Sequence, residues 1–311
     1  MDNNFLLSVV VPVFNEQDNV KPFIDALTLA IKKYNYEIIF VDDGSKDKTA
    51  AKVKQYAGKN NRIKLIGFCR NFGHQMALSA GYEASLGDAV ITIDADLQDP
   101  PEIIPQMIEK WQNGIKVVYA KRKERRGESY FKLLTASVFY QLINMLSDTP
   151  IPMDVGDFRL LDRTVVNYLK NLKETPSFFR GLVSWPGFPT DYIYFTRKKR
   201  LTGKTHYGFF KMINFALDGI MSFSVKPLRL STYFGFLSGL TGFLGILYKI
   251  VERLLHPDQF TVGWTGLFTA IMFLGGIQLI TIGIIGEYIG KIYQEIQNRP
   301  RYLIKEKVNF S

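Results

Sequence analysis

Short apolar runs alternate with amphipathic segments along the N-terminal part of the chain. The runs are rich in β-branched side chains, which is typical of buried strands, and they cover residues 6–13, 37–42, 63–68 and 89–94. The segments between them have helical spacing and predict helices over residues 20–34, 48–56 and 73–85. This alternation favours an α/β fold built on a doubly wound parallel sheet with helices on both faces.

The pattern changes after residue 223, where the chain becomes strongly apolar. Residues 230–251 and 264–286 each have about the ~20 residues that a bilayer-spanning helix needs. We interpret them as a transmembrane hairpin rather than as two buried core helices, and the flanking Lys and Arg residues favour both ends inside the cell. The predicted organisation is a cytosolic domain at 1–203, an amphipathic interfacial segment or core helix at 204–228, and the hairpin with a cytosolic tail at 229–311.

The charge balance indicates an anionic partner. The chain has 39 Lys and Arg residues against 29 Asp and Glu residues, a net charge of +10, which suits nucleic acid, phosphorylated substrates or anionic lipid. Basic clusters at 121–126 and 197–204 precede the membrane segment, so we expect phosphates or lipid headgroups and no nucleic acid. The single cysteine, Cys69, excludes an internal disulfide and fits a reducing compartment.

Polar side chains follow three of the predicted strands, at the sheet edge where ligands bind in such folds. They are Asn15, Glu16, Asp42, Asp43, Asp94 and Asp96. Asp94 and Asp96 could share a Mg²⁺ or Mn²⁺ ion with substrate phosphates, and Gln98 could add a third oxygen. A solvated loop is the alternative for an isolated Asp-x-Asp. Neither a P-loop nor a dinucleotide-binding glycine pattern follows the first strand, so metal and basic residues would have to handle phosphate.

Several motifs together resemble the inverting family 2 glycosyltransferases, within the branch of bactoprenol glucosyltransferases and dolichol-phosphate mannose synthases. They are SVVVPVFNE at 8–16, VDDGS at 41–45, FCRNFGHQMALSAG at 68–81, DADLQDPP at 94–101, GDFRL at 156–160, GEYIG at 286–290 and RPRY at 299–302. The resemblance covers essentially the whole chain. The chain lacks the Gln-x-x-Arg-Trp motif of the processive branch, and Thr205 and His206 stand where relatives often have Ser and Lys.

The resemblance implies a nucleotide-diphosphosugar transferase (GT-A) fold with a C-terminal hairpin, in the bacterial cytoplasmic membrane. It implies transfer of a sugar from a nucleotide-sugar, by resemblance a UDP-sugar, to a polyprenyl phosphate such as undecaprenyl phosphate, with inversion. It also implies Mg²⁺ or Mn²⁺, contact with membrane lipids and a homo-oligomer, by resemblance a tetramer. The implied nucleotide-binding residues are Pro12, Val13, Asn15, Glu16, Asp42 and Asp43, and the metal ligands are Asp94, Asp96 and Gln98. Asp157 is the implied catalytic carboxylate, and the phosphates would meet Arg122, Arg126, Lys132, Arg159 and Arg200.

Some alternatives stay open at the level of sequence. Asp157 could be a base, stabilise a cationic sugar, orient Arg159, or act only as a structural hydrogen-bond acceptor. A glycerolipid or protein hydroxyl could replace the phosphate acceptor, and it would make a base indispensable. A non-catalytic membrane scaffold is the remaining hypothesis, although paired carboxylates that repel each other have little use without a metal. We interpret His74 and His206 as structural or phosphate-contacting residues, because they lack metal-binding spacing.

Overall fold

The computed structural model describes residues 5–123, 155–172, 179–196, 224–255 and 263–310. These residues divide into two compact units. One unit contains the described residues up to 196 together with 300–310, and the other contains 224–255 and 263–299.

The first unit is built on an eight-stranded sheet in the order β7-β5-β6-β4-β1-β2-β3-β8. The strands are β1 (Leu6–Val13), β2 (Asn35–Asp42), β3 (Ile63–Phe68), β4 (Ala89–Thr92), β5 (Val117–Arg122), β6 (Val155–Asp162), β7 (Thr190–Phe195) and β8 (Ile304–Val308). The four strands predicted from the sequence are present, and they pair in parallel as expected.

The prediction of a parallel sheet is wrong for the sheet as a whole, which is mixed. β6 lies between β4 and β5 and runs antiparallel to both, and β8 runs antiparallel to β3. The start of β6 pairs with the end of β5 through Val155 and Lys121. The chain therefore leaves β5 and enters β6 at the same edge of the sheet, and neighbouring strands joined at one edge run antiparallel.

Eight helices accompany the sheet in the described residues. They are α1 (Val20–Ile31), α2 (Thr49–Ala57), α3 (His74–Ala84), α4 (Ile104–Gln112), α5 (Arg163–Asn171), α6 (Phe179–Ser184), α7 (Lys226–Leu255) and α8 (Trp264–Ile296). A short 3₁₀ turn, Pro101–Ile103, precedes α4.

Both faces of the sheet are covered, as the doubly wound pattern predicts. Ile38 and Phe40 of β2 belong to the hydrophobic cluster that includes the buried face of α1. Ile39 and Val41 point to the opposite face and pack with α3, because successive side chains alternate across a strand. Gly81 allows α3 to approach β1 closely, since a Cβ there would lie 2.1 Å from a methyl carbon of β1.

The C-terminal residues, which were predicted to be a cytosolic tail, form an edge strand of the sheet. β8 pairs with β3 and covers that edge of the sheet. The Tyr302 ring stacks on Phe68 with centroids 4.8 Å apart, and Lys54 forms an ion pair with Glu306 at 2.6 Å. Stacking, pairing and charge together fix residues 302–308 to the first unit.

The second unit contains the two long apolar helices α7 and α8. They are longer than the predicted spans, and Lys226–Glu252 and Gly266–Ile296 are apolar enough to cross a membrane. Only 6% of the most apolar stretch of α7 and 0% of that of α8 is buried, whereas a core helix of a soluble protein would be buried. The expected interfacial segment at 204–228 lies outside the described residues up to 223.

Candidate active site

The predicted nucleotide-binding and metal-binding residues lie along one edge of the sheet, at the carboxyl ends of β1, β2 and β4. Because β6 runs antiparallel to β4, its first residues lie beside the end of β4, where Thr92 pairs with Arg159. The Thr92 hydroxyl donates a hydrogen bond to the backbone carbonyl of Asp157. This antiparallel pairing brings Asp157 to the same edge as the loops that follow the parallel strands.

Asn15 joins the loops that follow β1 and β2. It adopts a left-handed backbone conformation, with φ of 55°, which Asn tolerates better than most side chains. Its backbone N–H donates to Ser45 Oγ at 2.9 Å, and its Oδ1 accepts from the backbone N–H of Lys46 at 2.9 Å. The neighbouring Glu16 N–H donates to Thr49 Oγ1 at 2.9 Å. The two loops are therefore held as one surface.

Two adjacent carboxylates, Asp42 and Asp43, are buried where β2 ends. Asp42 accepts from the Ser45 N–H at 3.3 Å, and Asp43 accepts from the backbone N–H groups of Phe72 and Gly73 at 2.6 and 3.0 Å. Burial raises the pKa of both carboxyl groups, against the hydrogen bonds that lower it. These residues shape the loops after β2 and β3, and nucleotide contact by them stays a prediction.

Pro12 and Val13 are buried at the end of β1. The Val13 carbonyl accepts from the backbone N–H of Asp43 at 2.9 Å. This bond ties the end of β1 to the acidic pair of β2. The predicted role of Pro12 and Val13 at the nucleoside is untested, and their position under the loops is compatible with it.

The residues after β4 fit a divalent cation that substrate phosphates help to bind. The Asp94 side chain is 42% exposed, whereas Asp96 is buried and accepts from the backbone N–H of Gln98 at 3.1 Å. In the described ranges, no group of three or more His, Cys, Asp or Glu side chains is placed to hold a metal ion. Two carboxylates nevertheless suit Mg²⁺ or Mn²⁺ when phosphate oxygens and water complete the coordination.

Asp157 is surrounded by three basic side chains. Its Oδ1 accepts from Arg159 Nη2 at 2.7 Å, and its Oδ2 lies 3.2 Å from His74 Nε2 and 3.5 Å from Arg180 Nη2. The Asp157 side chain is only 11% exposed. His74 Nε2 also lies 4.0 Å from Asp94 Oδ1. One imidazole nitrogen is therefore near both the candidate metal site and Asp157.

The ionisation of this cluster follows from burial and charge. Burial alone would raise the pKa of Asp157, but the charges of Arg180 and Arg159 and the hydrogen bond from His74 hold it well below its usual range. Burial would lower the pKa of His74, yet the hydrogen bond to Asp157 and the charge of Asp94 raise it to about 9. At neutral pH the structure therefore holds a carboxylate beside an imidazolium.

Comparison with known protein families shows the family of the chain. The model of glycosyl transferase family 2 matches residues 8–169, and the model of the GtrB C-terminal hairpin matches residues 226–292. The chain belongs to glycosyl transferase family 2. The mixed sheet of this glycosyltransferase is the GT-A fold that was predicted, followed by the two-helix hairpin. The hairpin match and the two exposed apolar helices indicate membrane association.

The glycosyltransferase is similar to curated proteins over nearly its full length. It is 44% identical over 308 residues to the uncharacterized glycosyltransferase YkcC of Bacillus subtilis, covering 98% of this chain and 95% of the relative. It is 44% identical to the SfII prophage-derived bactoprenol glucosyl transferase of Shigella flexneri, covering 96% and 97%. The prophage bactoprenol glucosyl transferase homolog of Escherichia coli is 42% identical, covering 96% and 98%.

Solved structures with a similar chain path include glucosyl-3-phosphoglycerate synthase from Mycobacterium tuberculosis, in complex with Mn²⁺, UDP-glucose and phosphoglyceric acid. That structure aligns with a TM-score of 0.49 and 18% identity, covering 70% of this chain and 78% of the synthase. No residue role follows from a likeness at this level.

Arg159 of the glycosyltransferase lies in a different setting from the one predicted. Its side chain is fully buried, beside Tyr82 and Tyr119, and donates to Asp157. A guanidinium without exposed surface is out of reach of a phosphate that arrives from solvent. The structure therefore replaces the predicted phosphate contact with a positioning contact to Asp157.

Of the other predicted basic residues, one lies within the described residues. Arg122 ends β5, and its Nη2 lies 3.7 Å from where a Cβ on Gly156 would be. It is therefore close to the start of β6, and its phosphate role stays a prediction. Three further residues lie outside the described residues, and their roles stay predictions: Arg126, Lys132 and Arg200.

Sequence reasoning missed Arg180 and left His74 without a defined role. His74 begins α3 within the motif at 68–81, and Arg180 lies in α6. Neither has a spacing along the chain that relates it to Asp157. Only the antiparallel placement of β6 and the packing of α6 bring them together.

Proposed function

We propose that this glycosyltransferase transfers a hexose from a UDP-sugar to a polyprenyl phosphate, with inversion at the anomeric carbon. Relatives named as bactoprenol glucosyl transferases support glucose as the sugar and a polyprenyl phosphate as the acceptor. They are 42–44% identical to this chain over nearly its whole length. The product would be a polyprenyl-phosphate-linked sugar for later use in the cell envelope.

The observation that carries the proposal is the environment of Asp157. A carboxylate whose pKa is held well below its usual range is a weak base. A hydroxyl acceptor needs a base to remove its proton as it attacks. A phosphate monoester carries roughly −1.5 to −2 charges near neutral pH and is already a nucleophile. The site therefore suits a phosphate acceptor better than a glycerolipid or protein hydroxyl.

Asp157 then acts mainly as an orienting group. Its contacts with Arg180 and His74 hold two cationic side chains at this edge of the sheet, and His74 also lies 4.0 Å from Asp94. Fixed positive groups lower the repulsion between an anionic acceptor and an anionic donor. A cation held by Asp94 and Asp96 would supply further stabilisation of the leaving diphosphate when bound.

Inversion follows from a single in-line displacement, in which the acceptor oxygen attacks opposite the leaving diphosphate. An α-linked donor would then give a β-linked lipid product. We also propose that α7 and α8 cross the bacterial cytoplasmic membrane as a hairpin with both termini cytosolic, so that the catalytic unit meets membrane lipids and the cytosolic donor. The tetramer that the resemblance implies stays a prediction.

The proposal is tested with detergent-purified protein, undecaprenyl phosphate and a panel of nucleotide-sugars, with Mg²⁺, with Mn²⁺ and with chelator. We expect one donor to give a glycosylated lipid phosphate, and only when a divalent cation is present. The names of the relatives favour UDP-glucose as that donor. Asp96→Asn should lose this product because it removes a metal ligand, whereas Asp25→Asn, at an exposed ion pair of α1, should retain it. Donor binding without any lipid product would contradict the phosphate-acceptor proposal and favour another acceptor or a scaffold.

A further inference from the structure

We propose that Arg180, the partly exposed arginine of the two that contact Asp157, binds the phosphate of the acceptor. The inference rests on the proposed function and adds a residue that no sequence motif indicated. It follows from how α6 is anchored, from the balance of permanent charge, and from the order of sites across the sheet.

The packing of α6 leaves Arg180 little freedom to lie elsewhere. The preceding residue, Phe179, is buried, and its ring packs edge-on against Tyr82 with centroids 5.2 Å apart. The Phe179 N–H also donates to Gln75 Oε1 at 3.0 Å. Gln75 directly follows His74 on α3, so the same turn that positions the imidazole also positions the start of α6. Arg180 is thereby held at the Asp157 carboxylate.

The guanidinium of Arg180 retains capacity for a ligand. Arg180 is 26% exposed, whereas Arg159 is fully buried on the other side of the same carboxylate. Among the described residues, Asp157 is the only carboxylate within ion-pair distance of Arg180, and the closest approach is from Nη2 to Oδ2, at 3.5 Å. A guanidinium presents five N–H donors in a planar fork that matches phosphate oxygens. Most of that fork is therefore available to an anion.

Permanent charges at Asp157 are unbalanced. Arg159 and Arg180 each carry a guanidinium group, and Asp157 supplies one negative charge between them. Arg159 contacts Asp157 at 2.7 Å and is the closer partner. The positive charge of Arg180 is thus only partly compensated in a largely buried setting, where an added anion is favoured.

The order of sites across the sheet assigns this anion to the acceptor. The loops predicted to hold the nucleoside follow β2 and β1, the candidate metal ligands follow β4, and Asp157 lies at the start of β6. These strands are successive neighbours in the order β2-β1-β4-β6. A donor that lies along this edge would place its nucleoside first and its diphosphate at the metal. An in-line nucleophile must then approach from the far side of the sugar, which is the side of β6 and Arg180.

The test measures transfer from UDP-glucose to undecaprenyl phosphate in wild type, Arg180→Gln and Arg180→Lys, with full titrations of donor and acceptor. Hydrogen bonds to charged groups are among the stronger ones, so Arg180→Gln should raise the acceptor KM by roughly tenfold or more. The donor KM should change less than about twofold, because the donor phosphates lie at the metal. Arg180→Lys keeps the charge but loses the planar set of donors, so its acceptor KM should lie between those of wild type and Arg180→Gln. Arg62→Gln, a surface arginine over the Tyr36 ring, is the matched control and should behave as wild type.

The outcomes separate this inference from the function on which it rests. Lipid product in the wild-type arm upholds the proposed function whatever the variants do. An unchanged acceptor KM in Arg180→Gln, or a rise in the donor KM alone, would overturn the role of Arg180. A fall in kcat with both KM values unchanged would also overturn it, because that pattern indicates an indirect effect on Asp157. Thermal unfolding of each variant, compared with wild type, checks that the fold is retained.

Discussion

Neutralising Asp157 should destabilise the catalytic unit, because it leaves a buried guanidinium without its counter-charge. In Asp157→Asn the fully buried Arg159 keeps a hydrogen-bond acceptor but loses the charge 2.7 Å from its Nη2. Removing one partner of a buried ion pair typically costs about 3–5 kcal/mol. We expect the lower end, about 3 kcal/mol, because the Asn oxygen can still accept a hydrogen bond.

That loss translates into a measurable shift in the unfolding temperature. For a domain of roughly 200 residues each kcal/mol lowers Tm by about 2–4 °C, so Asp157→Asn should unfold roughly 6–12 °C below wild type. The assay is scanning fluorimetry of the detergent-purified proteins at one scan rate and neutral pH. The double variant Asp157→Asn with Arg159→Met should recover much of the shift, because an apolar side chain of similar volume removes the uncompensated charge.

An exposed ion pair provides the matched control for this prediction. Asp191 pairs with Lys110 on the surface, with side chains 41% and 35% exposed, and exposed pairs contribute about 0–1 kcal/mol. Asp191→Asn should therefore unfold within about 2–4 °C of wild type. Equal shifts in the Asp157 and Asp191 variants, or no recovery in the double variant, would refute the argument that burial makes the Asp157 pair important.

Three further predictions follow from contacts in the first unit. Because the pKa of His74 is raised to about 9, its contribution to stability is complete below about pH 6.5 and is lost as the pH rises towards about 9. The stability difference between wild type and His74→Gln should therefore shrink over that interval. A difference that stays constant in denaturant titrations across this pH range would contradict the prediction. Gly81→Ala places a Cβ 2.1 Å from a β1 methyl carbon and should lower the free energy of unfolding by roughly 1–3 kcal/mol or more. The control, Gly58→Ala, should be tolerated because its nearest contact is 3.5 Å away. Equal unfolding midpoints of the two variants in urea would show that α3 can move away from β1. Tyr302→Ala removes the stack on Phe68 and should destabilise the fold by roughly 2 kcal/mol. Relative to wild type, amide exchange should accelerate more in β8 than in β1. Unchanged exchange in β8 would mean that backbone pairing alone holds this strand.

The parallel strands and their loops could be predicted from the sequence because their signals are local. β1 and β3 begin and end at the predicted residues, since each is an uninterrupted apolar run between polar loops. Asp94 and Asp96 were expected at the sheet edge because they directly follow β4, and the structure places them there. In each case neighbours along the chain carry the information.

The surroundings of Asp157 could not be predicted, because long-range packing creates them. His74 and Arg180 come from α3 and α6, and they meet Asp157 only because β6 enters the sheet antiparallel to β4. β6 runs antiparallel to β4, and no periodicity along the chain records that direction. The family resemblance implied a phosphate contact for Arg159, whereas its side chain in β6 is fully buried.

β8 was missed for a related reason. Its sequence, Ile304–Val308, contains alternating charged residues that resemble a solvated tail as much as an edge strand. The pairing with β3, the Tyr302 stack and the ion pair of Glu306 with Lys54 are all contacts with residues far away in the chain. Charged residues are common on edge strands because they discourage further pairing, and this was the available signal.

The measurement that tests the central claim most directly compares two acceptors that differ only in the phosphate. Purified glycosyltransferase is given radiolabelled UDP-glucose and a divalent cation with either undecaprenyl phosphate or undecaprenol, and the lipid products are separated and identified by mass. We predict glucosylated undecaprenyl phosphate in the first reaction and no product in the second, because the lowered pKa of Asp157 makes it a weaker base towards a hydroxyl. Efficient glucosylation of undecaprenol, or no transfer to undecaprenyl phosphate from any nucleotide-sugar, would contradict the account.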